Sequence, residues 1–98
     1  MAEIALKFRF ATHDDVPTIV QMLSDDPLGA KRERFEDPLP ETYFKAFKSI
    51  NKDPNNELVV ATADLHIAGF MQITFISYLT YQGRCRALVE GVRVNNIT

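Results

Sequence analysis

The chain is short of several things, and each shortage narrows what it can be. A single cysteine, Cys85, permits no internal disulfide and no cysteine-rich metal site. His13 and His66 are the two histidines, with no second His or Cys at ligand spacing, so no metal site is expected. Cationic excess is missing too: 11 Lys and Arg against 13 Asp and Glu leave a net charge of −2, which is no footprint for nucleic acid. No apolar run approaches membrane-spanning length, and Met1-Ala2-Glu3 lacks a basic region followed by an apolar signal core. Repeats, low-complexity tracts and domain linkers are not found. A soluble cytoplasmic protein with no membrane or nucleic-acid partner is the expectation.

The chain does have the means to build a core. Its 98 residues are 46% apolar and include seven Phe and three Tyr, suited to one small domain. The low-hydrophobicity, high-charge signature of disorder is absent.

Leu6-Lys7-Phe8-Arg9-Phe10-Ala11 alternates apolar and basic residues, the pattern of a strand with one buried face. Thr12-His13-Asp14-Asp15 supplies helix-start chemistry, with Thr12 able to cap free amides and acidic residues opposing the helix dipole. Val16, Ile19, Val20 and Leu23 then form an apolar stripe for a helix ending near Ser24-Asp25-Asp26-Pro27, with Pro17 in its first turn. Residues 25 to 40, with three prolines and a glycine, read as a loop with one helical turn. The run Lys31-Arg32-Glu33-Arg34 could meet an anionic substrate; a solvated connection is the commoner meaning of such a run. A second helix runs from Pro40 to Lys52, with Tyr43, Phe44, Phe47 and Ile50 on its apolar side.

Asp53-Pro54-Asn55-Asn56 is a turn, and a strand follows from Glu57 to Ala63. After a short turn at Asp64-Leu65-His66, a long strand runs from Ile67 to about Tyr81. Met71, Ile73, Phe75 and Leu79 fall on one face of it, with Gln72, Thr74 and Thr80 on the other. Gln82-Gly83 turns the chain into a last strand from about Arg84. Strand, helix, helix and a three-strand antiparallel meander make an α+β (α/β) layer of helices against a sheet.

The last eleven residues, Leu88 to Thr98, carry the functional signal. With period two, Leu88, Glu90, Val92 and Val94 share one face, and Val89, Gly91 and Arg93 the other. A carboxylate in line with Leu and Val is unusual, and a Gly inside a strand marks a bulge or a close backbone approach. A bulge at Glu90-Gly91 would shift the face assignment by one residue. The strand then bends open beside a ligand.

Val89-Glu90-Gly91-Val92-Arg93-Val94-Asn95-Asn96, preceded by Gly83-Arg84-Cys85-Arg86-Ala87-Leu88, resembles the fourth strand of a GNAT-family N-acetyltransferase. That strand reads hydrophobic-Glu-x-Val-x-Val, then a short polar turn, then Arg/Gln-x-x-Gly-x-Gly/Ala at a helix start. This sequence stops at Thr98, before the last signature. The order of a strand, Ala11-Thr12, an Asp-rich cap and an amphipathic helix also resembles the opening of a GNAT domain.

The resemblance implies that residues 1–98 are the N-terminal part of a single GNAT domain. It also implies an enzyme that moves an acetyl group from acetyl-CoA, without a metal, to a small-molecule or peptide amine by direct attack. Something must then take a proton from the amine, and a hydrogen-bond donor must meet the thioester oxygen. Val92 is implied as the main-chain donor and Val94 as the next main-chain contact with the pantetheine arm, with side chains that belong to the core. Glu90 is implied as the base or as the residue that orients the acceptor; otherwise it pairs with Arg86. An apolar setting would raise its pKa toward a useful value. Tyr78 and Tyr81 either line the acceptor pocket or simply pack at its rim. Cys85 is read as structural.

An open edge and an apolar face without cover lead to a further expectation: the 98 residues alone are inactive and either self-associate or meet a missing C-terminal half. The alternatives are a non-catalytic half-domain that binds a ligand or partner, and a truncated gene product.

Overall fold

The computed structural model describes residues 5–94; the polar turn expected at Asn95-Asn96 lies outside them. The chain order is β1 (Leu6–Phe10), a 3₁₀ turn (His13–Asp15), α1 (Val16–Leu23), α2 (Pro27–Arg32), α3 (Glu41–Lys52), β2 (Asn56–Ala63), β3 (His66–Ser77) and β4 (Cys85–Val94). The strands form one antiparallel sheet in the order β1-β2-β3-β4, so β1 and β4 are its edges. This is the α+β arrangement that the order of elements implied.

One face of the sheet carries the helices. The core joins Val16, Ile19, Val20 and Met22 of α1 and Phe47 of α3 to Val60 of β2 and Phe70 of β3. Val60 and Phe70 lie opposite each other in the register, so both point at the helices. The α1 stripe is buried as its spacing predicts, with Leu23 half-buried at its end. On α3, Phe47 is buried, and Tyr43 and Phe44 pack against the core.

Thr12 and Asp15 form a capping box at the 3₁₀ turn that leads into α1. The Asp15 carboxylate accepts the Thr12 backbone N–H at 2.7 Å and its hydroxyl at 3.1 Å. Arg9 grips the same carboxylate with both terminal nitrogens, at 2.6 and 3.0 Å. Asp15 is only 7% exposed, so a buried charge is held by a fork of opposite charge and by a backbone amide.

That ion pair explains a departure in β1. Arg9 lies opposite Val60 and is therefore on the helix side; Leu6, Phe8 and Phe10 point to the other face and are exposed. The expected buried apolar face of β1 is bare. Val59, Met71, Ile73 and Val89 line the same bare face across the sheet, by the pairings Phe10–Val59, Val59–Met71 and Ile73–Val89.

Two further expectations are corrected. The segment after α1 holds a six-residue helix, α2, not a single turn. Asp26 caps it by accepting the Gly29 N–H, Pro27 occupies its first turn, and Lys31 and Arg32 sit at its C-terminal end. The long strand β3 ends at Ser77 rather than near Tyr81. Tyr81 and Gln82 take left-handed backbone angles, φ 52° and 61°, with Gly83 at 77°. Leu79 is accordingly in the connection and 97% exposed, not on the face of Met71.

Candidate functional site

The interior glycine of β4 does make a bulge. Phe70 pairs with Arg93 and Gln72 with Glu90, so two residues, Gly91 and Val92, stand against the single Met71. Gly91 has φ +64°, the left-handed first position of a G1 bulge. A Cβ there would lie 3.4 Å from Phe70 Cε1 and 4.0 Å from Leu23 Cδ2, so the bulge sits against the end of α1.

The extra residue redistributes the side chains. Glu90 and Arg93, which plain alternation puts on opposite faces, both lie on the helix side, opposite Gln72 and Phe70. Val89 and Val94 lie on the bare side, opposite Ile73 and Gly69. Val92, between Arg93 and the bulge, goes with them by alternation. Leu88, Glu90, Val92 and Val94 therefore do not share a face. Nor are Val92 and Val94 core side chains: they are 52% and 81% exposed, because they lie on the bare side of an edge strand.

Glu90 is exposed as well, so the apolar setting expected around it is not found. It lies opposite Gln72, whose amide donates to Asn56 Oδ1 at 3.3 Å. No ion pair among the described residues involves Glu90. Arg86 shares its face, through the pairing with Ile76, but places its guanidinium 5.8 Å over the Tyr78 ring instead.

Arg93 was not singled out by sequence, and it ties the bulge to the helices. Its Nη1 donates to the Val92 carbonyl oxygen at 2.8 Å, and its Nη2 lies 3.5 Å from Asp26 at the start of α2. Glu33, at the end of α2, accepts the Tyr43 hydroxyl at 2.8 Å. The Arg32 hydrogen bond holds the Glu33 carboxyl below its ordinary range, with the Tyr43 bond and the charges of Arg32 and Arg93 acting the same way. Burial pushes the Tyr43 hydroxyl up. A polar string thus joins β4, α2 and α3. The only hint in the sequence was the run Lys31-Arg32-Glu33-Arg34, whose arginines pair with Glu33 and Glu36.

Tyr78 and Tyr81 are 38% and 81% exposed, at the far end of the β3–β4 hairpin. Both line a cavity of about 370 Å³ there. Gln72 to Ser77 is five residues of strand, roughly 17 Å, so the tyrosines are not brought to Glu90. His13 is stacked on Phe44 with ring centroids 4.5 Å apart. Among the described residues no group of three or more His, Cys, Asp and Glu could hold a metal, and no helix is long and apolar enough to cross a membrane.

No protein-family model matches the chain, and no curated protein does. Solved structures do. A transcriptional regulator from Bacillus halodurans C-125 is 54% identical, with a TM-score of 0.86 over 92% of this chain and 60% of its own. Glucosamine-6-phosphate N-acetyltransferase from Arabidopsis thaliana matches at a TM-score of 0.70 and 14% identity, over 93% of this chain and 60% of its own. A predicted acetyltransferase with acetyl-CoA from Clostridium acetobutylicum matches at 0.63 and 15%, with the same coverage. The chain spans about 60% of the length of these structures. Its fold is that of the N-terminal part of a GNAT acetyltransferase.

Proposed function

We propose that these residues are the N-terminal part of a single catalytic domain in a cytoplasmic N-acetyltransferase that moves an acetyl group from acetyl-CoA to a primary amine. The observation that carries this reading is the Gly91 bulge on an open edge strand, with Glu90 just before it and Val92 just after. An edge strand has unpaired backbone donors and acceptors, and a bulge bends it away from any neighbour, which suits an amide-bearing arm laid alongside like an added strand.

When bound, acetyl-CoA supplies the thioester whose carbonyl carbon the amine attacks. The Val92 N–H is the donor for the carbonyl oxygen, where negative charge develops. Val94, one residue further along the same edge after Arg93, offers the next backbone contact to the arm. Glu90, exposed and without an ion-pair partner among the described residues, takes the amine proton directly or through a water. Arg93 donates to the Val92 carbonyl oxygen, which holds the Val92–Arg93 peptide, the one next to the plane that carries the Val92 N–H.

The test uses the full-length protein. Acetyl-CoA binding is measured by calorimetry, and coenzyme A release is followed with a thiol reagent against a panel of primary amines. Glu90→Gln should lower kcat/KM about a hundredfold while leaving acetyl-CoA affinity in place. Absence of acetyl-CoA binding by the unaltered protein would overturn the reading. A second reading, a regulatory domain that binds a ligand without turnover, draws support from the description of the 54% identical protein as a transcriptional regulator. It predicts acetyl-CoA binding with no coenzyme A released in the presence of any amine.

A further inference from the structure

We propose that the cavity at the tip of the β3–β4 hairpin is an anion subsite for the acceptor, taking a carboxylate or phosphate carried by the amine to be acetylated. The proposal rests on the acetyl-transfer reading above and names the chemical class of its substrate.

The argument begins with the arginines. Arg9, Arg32, Arg34 and Arg93 each have a carboxylate partner within 4.0 Å. The other two, Arg84 and Arg86, have none among the described residues, and both line this cavity. The remaining polar side chains of its lining are the hydroxyls of Tyr78, Thr80 and Tyr81 and the Cys85 thiol; no carboxylate is present. A lining of two cations and three hydroxyls, in a chain of net charge −2, is complementary to an anion.

The cavity is also shaped in advance. The Arg86 guanidinium rests over the Tyr78 ring, which limits its freedom before any ligand arrives. Tyr81 and Gln82 are held in the left-handed region, which costs energy in a residue with a side chain and collects at ligand clamps. Arg86 and Glu90 share the helix side of β4, four residues or roughly 13 Å apart. The Arg86 guanidinium lies over Tyr78, toward the hairpin tip and away from Glu90, so the anionic group would sit at least roughly 13 Å from the amine. An extended acceptor, such as a short acidic peptide or a phosphorylated amine, has that span.

Anions on coenzyme A itself are the other source of the same chemistry, and the test separates them. In the full-length protein, alkylation of the exposed Cys85 by iodoacetamide is followed at its own peptide by mass spectrometry, across a titration with inorganic phosphate. Phosphate should slow the reaction. Arg84→Gln with Arg86→Gln should weaken that protection about tenfold or more, whereas Lys at both positions should keep most of it. Both arginines are exposed, so the substitutions leave the core intact, and near-ultraviolet circular dichroism checks this.

In turnover with matched amines, with and without a phosphate roughly 13 Å or more away, the Gln pair should raise KM for the anionic member only. Phosphate protection that is absent, or equal in the Gln pair, would overturn the proposal. So would a Gln pair that raises KM for acetyl-CoA instead of the acceptor. Failure of the unaltered protein to bind acetyl-CoA would overturn the transfer reading and the acceptor as source. The phosphate arm would still decide whether the cavity is an anion site.

Discussion

Replacing Gly91 with alanine tests the bulge on which the site reading depends. Gly91 has φ +64°, where an L-residue crowds its own backbone at a cost of about 1–2 kcal/mol. Alanine also restricts the unfolded chain, which offsets about 0.4–1 kcal/mol of that loss. Space adds little, since the new Cβ would meet Phe70 Cε1 at 3.4 Å and Leu23 Cδ2 at 4.0 Å, both ordinary contacts. The net expectation for Gly91→Ala is a loss of about 1 kcal/mol. Gly83, at φ +77° with nothing within 4 Å, is the internal control and should lose a similar amount. Function should separate them. Relief of the strain at Gly91 requires the bulge to close, and a one-residue slip turns every later side chain of β4 to the other face and rotates the Val92 peptide. Gly91→Ala should therefore weaken acetyl-CoA binding at least about tenfold, which is 1.4 kcal/mol of lost contact, while Gly83→Ala should not. Urea unfolding of the full-length protein at unchanged m reads the stability, and calorimetry reads the affinity. Full stability in Gly91→Ala, or equal binding in the two variants, would refute the reasoning.

The Arg9 hydrogen bonds, with those of Thr12, hold the Asp15 carboxyl below its ordinary value of 3.8 against the opposing effect of burial. At pH values between the lowered folded value and the unfolded one, the unfolded chain carries more protons. Stability should thus rise with pH through that window and be lost as pH falls through the folded value. Asp15→Asn should flatten this slope and cost about 1–2 kcal/mol at neutral pH, discounted because the Arg9 side chain is 45% exposed; urea midpoints at several pH values check it. Arg93→Met and Asp26→Asn should show a coupling of about 0.5 kcal/mol in a double-mutant cycle, the worth of a partly exposed pair. A zero coupling would mean that the 3.5 Å contact does not tie β4 to α2. The isolated 98-residue polypeptide should self-associate through the bare face of Leu6, Phe8 and Phe10, and Phe8→Ser should reduce this in sedimentation velocity. A monodisperse monomer would sink that expectation.

Local chemistry made much of the architecture legible. The stripe Val16, Ile19, Val20 and Leu23 and the aromatic side of α3 announced helices, since one face of a 3.6-residue period must be apolar to pack. Gly91 announced a bulge or a close backbone approach because it stands where a side chain would normally be needed. The hairpin is harder: Tyr81 and Gln82 carry no signal of a left-handed turn, so the pattern carries β3 past its end at Ser77. The short helix α2 was half visible, its Asp26-Pro27 start being plain and its length hidden among charges.

Alternation along a strand defines two faces but not which of them is covered, since that depends on partners distant in sequence. Leu6, Phe8 and Phe10 look like a buried face, yet Arg9 faces the helices because Asp15, at the start of α1, is there to receive it. The face shift at Glu90 has the same origin. The sequence by itself marked Gly91 as the place of a bulge or a close backbone approach, and the pairing with β3 made it a bulge. Only pairing with β3 decided that Glu90 joins Arg93 on the helix side and that Val92 and Val94 stand exposed on the other, because a side chain's direction is settled by the residue opposite it.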